Sequence, residues 1–117
     1  MPVFRGCEII LRNCRTPAAE LDIIARDGFT LVFVEVKTRF LKNPSKPGVF
    51  RPMDNLSRHQ RQRIVRGAKY YLRILNAPGL RYRFDVVEVF LTRFGPLSIR
   101  HHIGAFGYDT VYRGGHP

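Results

Sequence analysis

Acidic residues are scarce in this chain of 117 residues. It has 9 Asp and Glu against 20 Lys and Arg, which gives a formal net charge of +11. Charges of one sign repel one another, and a polyanionic partner relieves that repulsion. Nucleic acid is the commonest such partner, so the charge balance favours a nucleic-acid-binding protein. An anionic membrane surface and an acidic protein are the alternatives.

Cysteines and long apolar runs are also few. Cys7 and Cys14 form no Cys-x-x-Cys pair or Cys/His cluster, which argues against a zinc site. Seven residues of extended chain hold them too far apart for a disulfide, so we expect free thiols in a reducing compartment. No stretch approaches the roughly 18 apolar residues that span a bilayer, and the N-terminus lacks a secretory signal. We therefore expect a cytoplasmic protein that does not enter a membrane.

The length suits one domain, which we expect to span residues 1–117. Ser57 and Gln60 have the spacing of a capping box at the start of a helix. Three strands, one helix and two further strands predict an α/β domain built on a mixed sheet of about five strands with one main helix. Turn signals and apolar patterns predict strands at 8–13, 20–26, 30–37, 81–91 and 97–106 and a helix at 57–76.

The second and third predicted strands form a hairpin. The pair Asp27-Gly28 is typical of a two-residue type I′ turn, and with this loop Asp22 lies opposite Phe33. Side chains alternate between the faces of a strand, so the charged residues share one face and we expect the core on the other. The charged set on the shared face is Glu20, Asp22, Glu35 and Lys37.

Three carboxylates on one face repel one another, by roughly 0.8 kcal/mol for a pair about 5 Å apart in water. A divalent cation would remove this repulsion, and oxygen ligands suit Mg²⁺ or Mn²⁺. Such an ion can activate water and bind a phosphate oxygen, and Lys37 could stabilise charge on the phosphoryl group. The alternative is a solvated polar end of the hairpin, with Lys37 bridging to a carboxylate.

The stretch AELDIIARDGFTLVFVEVKTR, residues 19–39, resembles the signature of the YraN-like family. That family belongs to the restriction-endonuclease-like PD-(D/E)-x-K nuclease superfamily and is related to archaeal Holliday-junction resolvases. The resemblance continues through GAKYYL at 67–72, RFDVVEV at 83–89 and IGAF at 103–106. It implies that Asp22 and Glu35 are metal ligands, Lys37 is the catalytic lysine and Glu20 is an accessory carboxylate.

The reaction implied by the resemblance is hydrolysis of phosphodiester bonds in DNA, including branched DNA, with Mg²⁺ or Mn²⁺; DNA is favoured over RNA. A non-catalytic nucleic-acid-binding protein that retains the fold is the alternative. Related chains begin with a helix that carries another glutamate, whereas this chain starts almost at its first strand, so we expect that helix to be missing. Its absence would uncover apolar sheet surface and favour a homodimer.

Basic residues follow the third strand and cover the helix. A cationic loop and helix beside a metal site are suited to phosphate contacts, so affinity for nucleic acid should fall steeply with salt. The alternatives are a solvated helix face and a basic module that binds a protein. No motif reads base sequence, so recognition should be of backbone and shape. The candidate contacts are Arg39, Lys42, Lys46, Arg51, Arg58, Arg61, Arg66 and Lys69.

Two further pairs of titratable residues occur in the last two predicted strands. His101 and His102 are neighbours on a strand and point to opposite faces, so they cannot form one site, and we expect structural or surface roles. Asp85 and Glu88 also lie on opposite faces, and we expect them to pair with Arg83 or neighbouring arginines.

Overall fold

The computed structural model of this chain describes residues 6–41, 56–77 and 79–107. These residues form five strands and one helix, in the predicted order. The elements are β1 (Glu8–Arg15), β2 (Glu20–Asp27), β3 (Thr30–Phe40), α1 (Arg58–Leu75), β4 (Arg81–Thr92) and β5 (Gly95–Phe106).

The five strands form one sheet in the order β1-β2-β3-β4-β5. Neighbouring strands are antiparallel except β3 and β4, which are parallel and are connected through α1. The sheet is therefore mixed, and the predicted α/β class with one main helix is confirmed. No helix in the described part of the chain has the length and apolar character needed to cross a membrane.

Helix α1 begins where the capping box predicts. The Ser57 side chain accepts a hydrogen bond from the Gln60 backbone N–H at 3.1 Å, and the Ser57 N–H donates to Gln60 Oε1 at 3.2 Å. Asn76 ends the helix in a left-handed conformation, with φ of 51°. Both ends of the helix thus satisfy backbone groups that would otherwise lack partners.

The main hydrophobic core lies between α1 and the sheet face that carries Glu35. Val65 and Ala68 of the helix pack against Ile24 and Phe33 of the hairpin. A smaller cluster, around Val32 and Val34, occupies the opposite face. The expectation that the core lies opposite the acidic residues is therefore wrong, because the apolar stripe of α1 covers the face on which the acids lie. Buried residues in the main cluster are Leu21, Ile24, Leu31, Phe33, Leu56, Ile64, Val65, Ala68, Phe84, Val86 and Phe106.

The hairpin differs from its predicted register by two residues. Asp27 pairs with Thr30, so the loop is Gly28-Phe29. Gly28 has φ of 61°, but Phe29 is not among the described residues with positive φ, so the turn is not type I′. Asp27 stays within the ladder, where its carboxylate binds Arg83 of β4 at 2.8 Å. A slip of two residues keeps each side chain on its predicted face, because the alternation has a period of two.

Strand β3 is longer than predicted. It continues past Lys37 to Phe40, and the Leu41 N–H then donates to the Leu91 carbonyl at 2.8 Å. The turn between β4 and β5 is Arg93-Phe94, two residues before the predicted Gly95-Pro96. Pairing with β4 along its whole length keeps β3 extended, so Arg39 lies within a paired strand and not in a loop.

Candidate functional site

Asp22 lies where the pairing of β2 with β3 ends. The last paired residues are Ile23 and Val34. Beyond them the Asp22 Oδ2 accepts a hydrogen bond from the Val36 N–H at 2.9 Å. A side-chain carboxylate thus takes the place of a backbone partner, and this bond fixes Asp22 beside the part of β3 that carries Glu35.

Glu35 is a carboxylate with a strongly shifted pKa. Burial, followed by the negative charge of the neighbouring Asp22, raises the pKa of Glu35 from 4.5 to about 7. Lys37 opposes both effects. Its Nζ lies 3.8 Å from Glu35 Oε2, which is longer than a hydrogen bond, so the charge of Glu35 is only partly compensated.

Asp22 and Glu35 open onto a common cavity of about 140 Å³, which we call the carboxylate cavity. Its lining comes from the start of β2, the middle of β3 and the first turns of α1. Glu20 lines it as well, with its side chain exposed to solvent. The lining residues are Ala19, Glu20, Asp22, Glu35, Gln60, Arg63 and Ile64.

A close approach at Gly67 holds α1 over this cavity. A Cβ atom at Gly67 would lie 3.1 Å from Thr16 Oγ1 and 3.2 Å from Leu21 Cδ2. A larger residue at position 67 would have to push these neighbours away, so glycine permits the close packing of α1 against Thr16 and Leu21. The same packing carries Gln60 and Arg63 to the carboxylates.

Gln60 and Arg63 were not predicted to belong to the acidic site. The capping-box spacing located Gln60 at a helix start, and Arg63 resembled its many basic neighbours on the helix. No local signal links either residue to Asp22 or Glu35, because the contact depends on how α1 packs across the sheet.

The residues present fit a divalent cation held by two carboxylates. Mg²⁺ keeps several waters and is commonly bound through one or two carboxylates together with substrate phosphates. Asp22 and Glu35 offer such oxygen donors, and the raised pKa of Glu35 shows that burial and Asp22 disfavour its negative charge, which a bound cation would stabilise. Among the described residues, no group of three His, Cys, Asp or Glu side chains is arranged to hold a metal ion. The role of Glu20 as a third ligand therefore stays a prediction.

Arg39 is buried, which contradicts its predicted contact with nucleic acid. Its side chain is 4% exposed, and its Nε donates to Glu88 Oε2 at 3.1 Å. The cause is the extra length of β3, which places Arg39 in a paired strand rather than in a loop. Lys42, Lys46 and Arg51 lie outside the described residues.

The basic residues of α1 divide into two groups. Arg58, Arg66 and Lys69 are exposed, as a nucleic-acid contact requires. Arg61 is half-buried, and its Nε is buried without a hydrogen-bond partner. The helix that lines the carboxylate cavity thus also carries exposed cations.

Two other carboxylates are buried deeply and are fully compensated by the chain. Asp85 accepts hydrogen bonds from Arg83 Nε at 3.0 Å and from the Gly104 N–H at 2.9 Å, and His101 Nε2 lies 2.7 Å from it. Gly104 has φ of 61°, which turns its N–H out of the β4–β5 ladder. The predicted pairing of Asp85 with Arg83 is confirmed.

Glu88 has an equivalent arrangement. Arg39 Nε lies 3.1 Å from one carboxylate oxygen, and His102 Nε2 lies 2.6 Å from the other. The two histidines thus bind different carboxylates, and they do not form one site, as predicted. Arg39 was not foreseen as the partner of Glu88, since the two residues are distant in sequence.

A mixed sheet crossed by one helix, with a carboxylate pair and a lysine where two antiparallel strands separate, defines a restriction-endonuclease-like domain. A family profile described as "Uncharacterised protein family UPF0102" matches residues 3–89. The chain belongs to this family, which is the YraN group of the restriction-endonuclease-like proteins. The resemblance noted in the sequence is therefore confirmed.

Several curated relatives carry the same family name. A UPF0102 protein of Desulfosudis oleivorans is 42% identical over 84 residues, which are 72% of this chain and 64% of the relative. One from Beutenbergia cavernae is 42% identical over 96 residues, covering 82% of this chain and 77% of the relative. One from Syntrophotalea carbinolica is 37% identical over 107 residues, covering 90% and 80%. The match thus spans somewhat less than two thirds of the Desulfosudis oleivorans protein.

Proposed function

We propose that this chain is a metal-dependent endonuclease that hydrolyses phosphodiester bonds in DNA. Asp22 and Glu35 would hold Mg²⁺ or Mn²⁺, and Lys37 would contact the reacting phosphate. The observation that carries the proposal is the crowding of Asp22 and Glu35 in one cavity, where the pKa of Glu35 is raised to about 7 by burial and by Asp22. Perturbed groups of this kind in a cleft are typical of functional sites.

The residues of the chain have separate tasks in this proposal. When bound, a divalent cation would make a coordinated water more acidic and withdraw charge from the phosphate. The bond from the Val36 N–H fixes the orientation of Asp22. Lys37 carries its ammonium group on the same face as Glu35 and would donate to a phosphoryl oxygen or orient the attacking water.

DNA is proposed as the substrate because of the charge of the chain and the resemblance to nucleases that act on branched DNA. The exposed cations Arg58, Arg66 and Lys69 on α1 would contact phosphates beside the carboxylate cavity. Such contacts do not distinguish base sequences, so we expect selection by backbone shape.

The test is nicking of supercoiled plasmid and of branched DNA in the presence of Mg²⁺. We expect the natural sequence to cleave at least one of these substrates and Glu35→Ala to cleave neither. Glu8→Ala is the matched control, since Glu8 is an exposed carboxylate paired with Arg26 far from the cavity, and it should retain activity. Equal activity of Glu35→Ala and the natural sequence would overturn the proposal.

A second candidate function is non-catalytic binding of nucleic acid. It is favoured by the fact that the described residues assemble two carboxylates at the cavity rather than a set of three metal ligands. Under this alternative, DNA binding would be the same with and without Mg²⁺, and no substrate would be cleaved. Salt-dependent binding that Glu35→Ala leaves intact, without nicking by the natural sequence, would support it.

A further inference from the structure

Arg63 is the one cation that α1 contributes to the lining of the carboxylate cavity. It lies in the second turn of the helix and is exposed to solvent. Within the described part of the chain, no ion pair joins Arg63 to Glu20, Asp22 or Glu35, although all three line the same cavity. Among the described residues, Arg63 thus has no ion-pair partner, although three carboxylates line the same cavity.

The other polar side chain that α1 brings to the cavity is already engaged. Gln60 Oε1 accepts a hydrogen bond from the Ser57 N–H at 3.2 Å as part of the helix cap. Arg63 makes no comparable bond within the described structure. The amide N–H groups of Gln60 carry no charge, so Arg63 is the one of these two helix side chains that offers positively charged donors to an anion in the cavity.

The side chains that line the cavity indicate which ligand it would bind. A planar guanidinium group binds phosphate through two parallel hydrogen bonds, which makes arginine a preferred residue for phosphate recognition. Asp22 and Glu35 would repel a phosphate unless a divalent cation lay between them and it. A phosphate group could then be held from two sides, by the cation on the carboxylates and by Arg63 on the helix.

We propose that Arg63 binds the DNA phosphate that enters the carboxylate cavity, so that its binding depends on a divalent cation at Asp22 and Glu35. This inference rests on the proposed function and assigns a substrate-binding residue to that site. It also separates Arg63 from the other basic residues of α1, such as Arg66, which do not line the cavity and would bind flanking phosphates without a metal ion.

The experiment measures binding of a fluorescein-labelled branched DNA by anisotropy, with and without Mg²⁺ at constant ionic strength, before product accumulates. Without Mg²⁺, Arg66→Ala should weaken binding more than Arg63→Ala does, since only Arg66 would then contact a phosphate. Mg²⁺ should increase the DNA affinity of the natural sequence and of Arg66→Ala. For Arg63→Ala, the factor by which Mg²⁺ increases the affinity should be smaller by about tenfold or more. Thermal melting of both variants checks that they are folded.

Cleavage kinetics supply a second readout. Arg63→Ala should lower kcat by about 100-fold, as expected when a donor to the reacting phosphate is lost, while Arg66→Ala should chiefly raise KM. Arg63→Lys should restore only part of the loss, because an ammonium group cannot form the two parallel bonds.

The outcomes separate the inference from the function on which it rests. If Mg²⁺ strengthens DNA binding equally for the natural sequence, Arg63→Ala and Arg66→Ala, the role of Arg63 is overturned and the nuclease proposal stands. If Mg²⁺ strengthens binding neither for the natural sequence nor for Arg66→Ala, and neither cleaves, both proposals fail.

Discussion

The chain treats its carboxylates in two different ways. Glu88 is wholly buried, and both of its oxygens are compensated, one by Arg39 at 3.1 Å and the other by His102 at 2.6 Å. Glu35 is less buried but lies beside Asp22, a like charge, and the nearest described cation, Lys37, is 3.8 Å away. The better compensated carboxylate is thus the one deeper in the protein.

This difference separates carboxylates that stabilise the fold from carboxylates that are suited to bind a cation. A buried charge is tolerated when hydrogen bonds and an opposite charge replace its water, and the Glu88 and Asp85 clusters meet that requirement with residues of the chain itself. Asp22 and Glu35 meet it only in part. Their remaining negative charge is what a cation from solution would neutralise, and for this reason we locate the metal site there and not at the deeper carboxylates.

The largest expected effect is on stability at the structural cluster. Glu88→Ala should lower the free energy of unfolding by about 3–5 kcal/mol, because it leaves the guanidinium group of Arg39 buried without its counter-charge. Urea denaturation measures this loss. Glu8→Ala is the control, since Glu8 and Arg26 form an exposed pair worth about 1 kcal/mol or less. Losses of similar size in the two variants would contradict the contrast between buried and exposed carboxylates.

A substitution in the carboxylate cavity should raise the free energy of unfolding above pH 7 rather than lower it. The pKa of Glu35 is raised from 4.5 to about 7, so the folded state holds this proton more tightly than the unfolded state does. The resulting stability is fully present below about pH 4.5 and is lost as the pH rises through about 7. Glu35→Gln should remove this loss and be more stable than the natural sequence above pH 7, by on the order of 1 kcal/mol after solvent screening.

Thermal melting from pH 4.5 to 8 checks this prediction. Addition of Mg²⁺ above pH 7 should stabilise the natural sequence and leave Glu35→Gln nearly unchanged, since ligand binding to the folded state adds to its stability. Parallel pH profiles for the two proteins would show that Glu35 titrates at its ordinary pKa.

Much of the fold could be predicted because its signals are local. The capping box at Ser57 and Gln60 located the start of α1, and alternating patterns located the strands. The hairpin register could not be obtained this way, because Asp27 is kept in the ladder by Arg83, which lies 56 residues further along the chain. The end of β3 was missed for a similar reason, since its pairing with β4 is a long-range contact.

The part of the site that could be predicted is the part that depends on the alternation of side chains along a strand. The alternation of side chains correctly placed Glu35 and Lys37 on one face, and a register error of two residues left that face unchanged. Packing across the sheet determines the rest. Arg39 pairs with Glu88 in the interior, and α1, which packs closely at Gly67, brings Arg63 to the lining of the carboxylate cavity; no spacing in the sequence indicates either placement.

The most direct test of the account is the pKa of Glu35, measured by NMR of the carboxyl carbons during a pH titration with and without Mg²⁺. We expect Glu35 to titrate near 7 in the absence of the ion and well below that in its presence, while the carboxyl signals of Asp85 and Glu88 do not respond to Mg²⁺. A Glu35 that titrates near 4.5 and is unaffected by Mg²⁺ would contradict the claim that this cavity is a metal site.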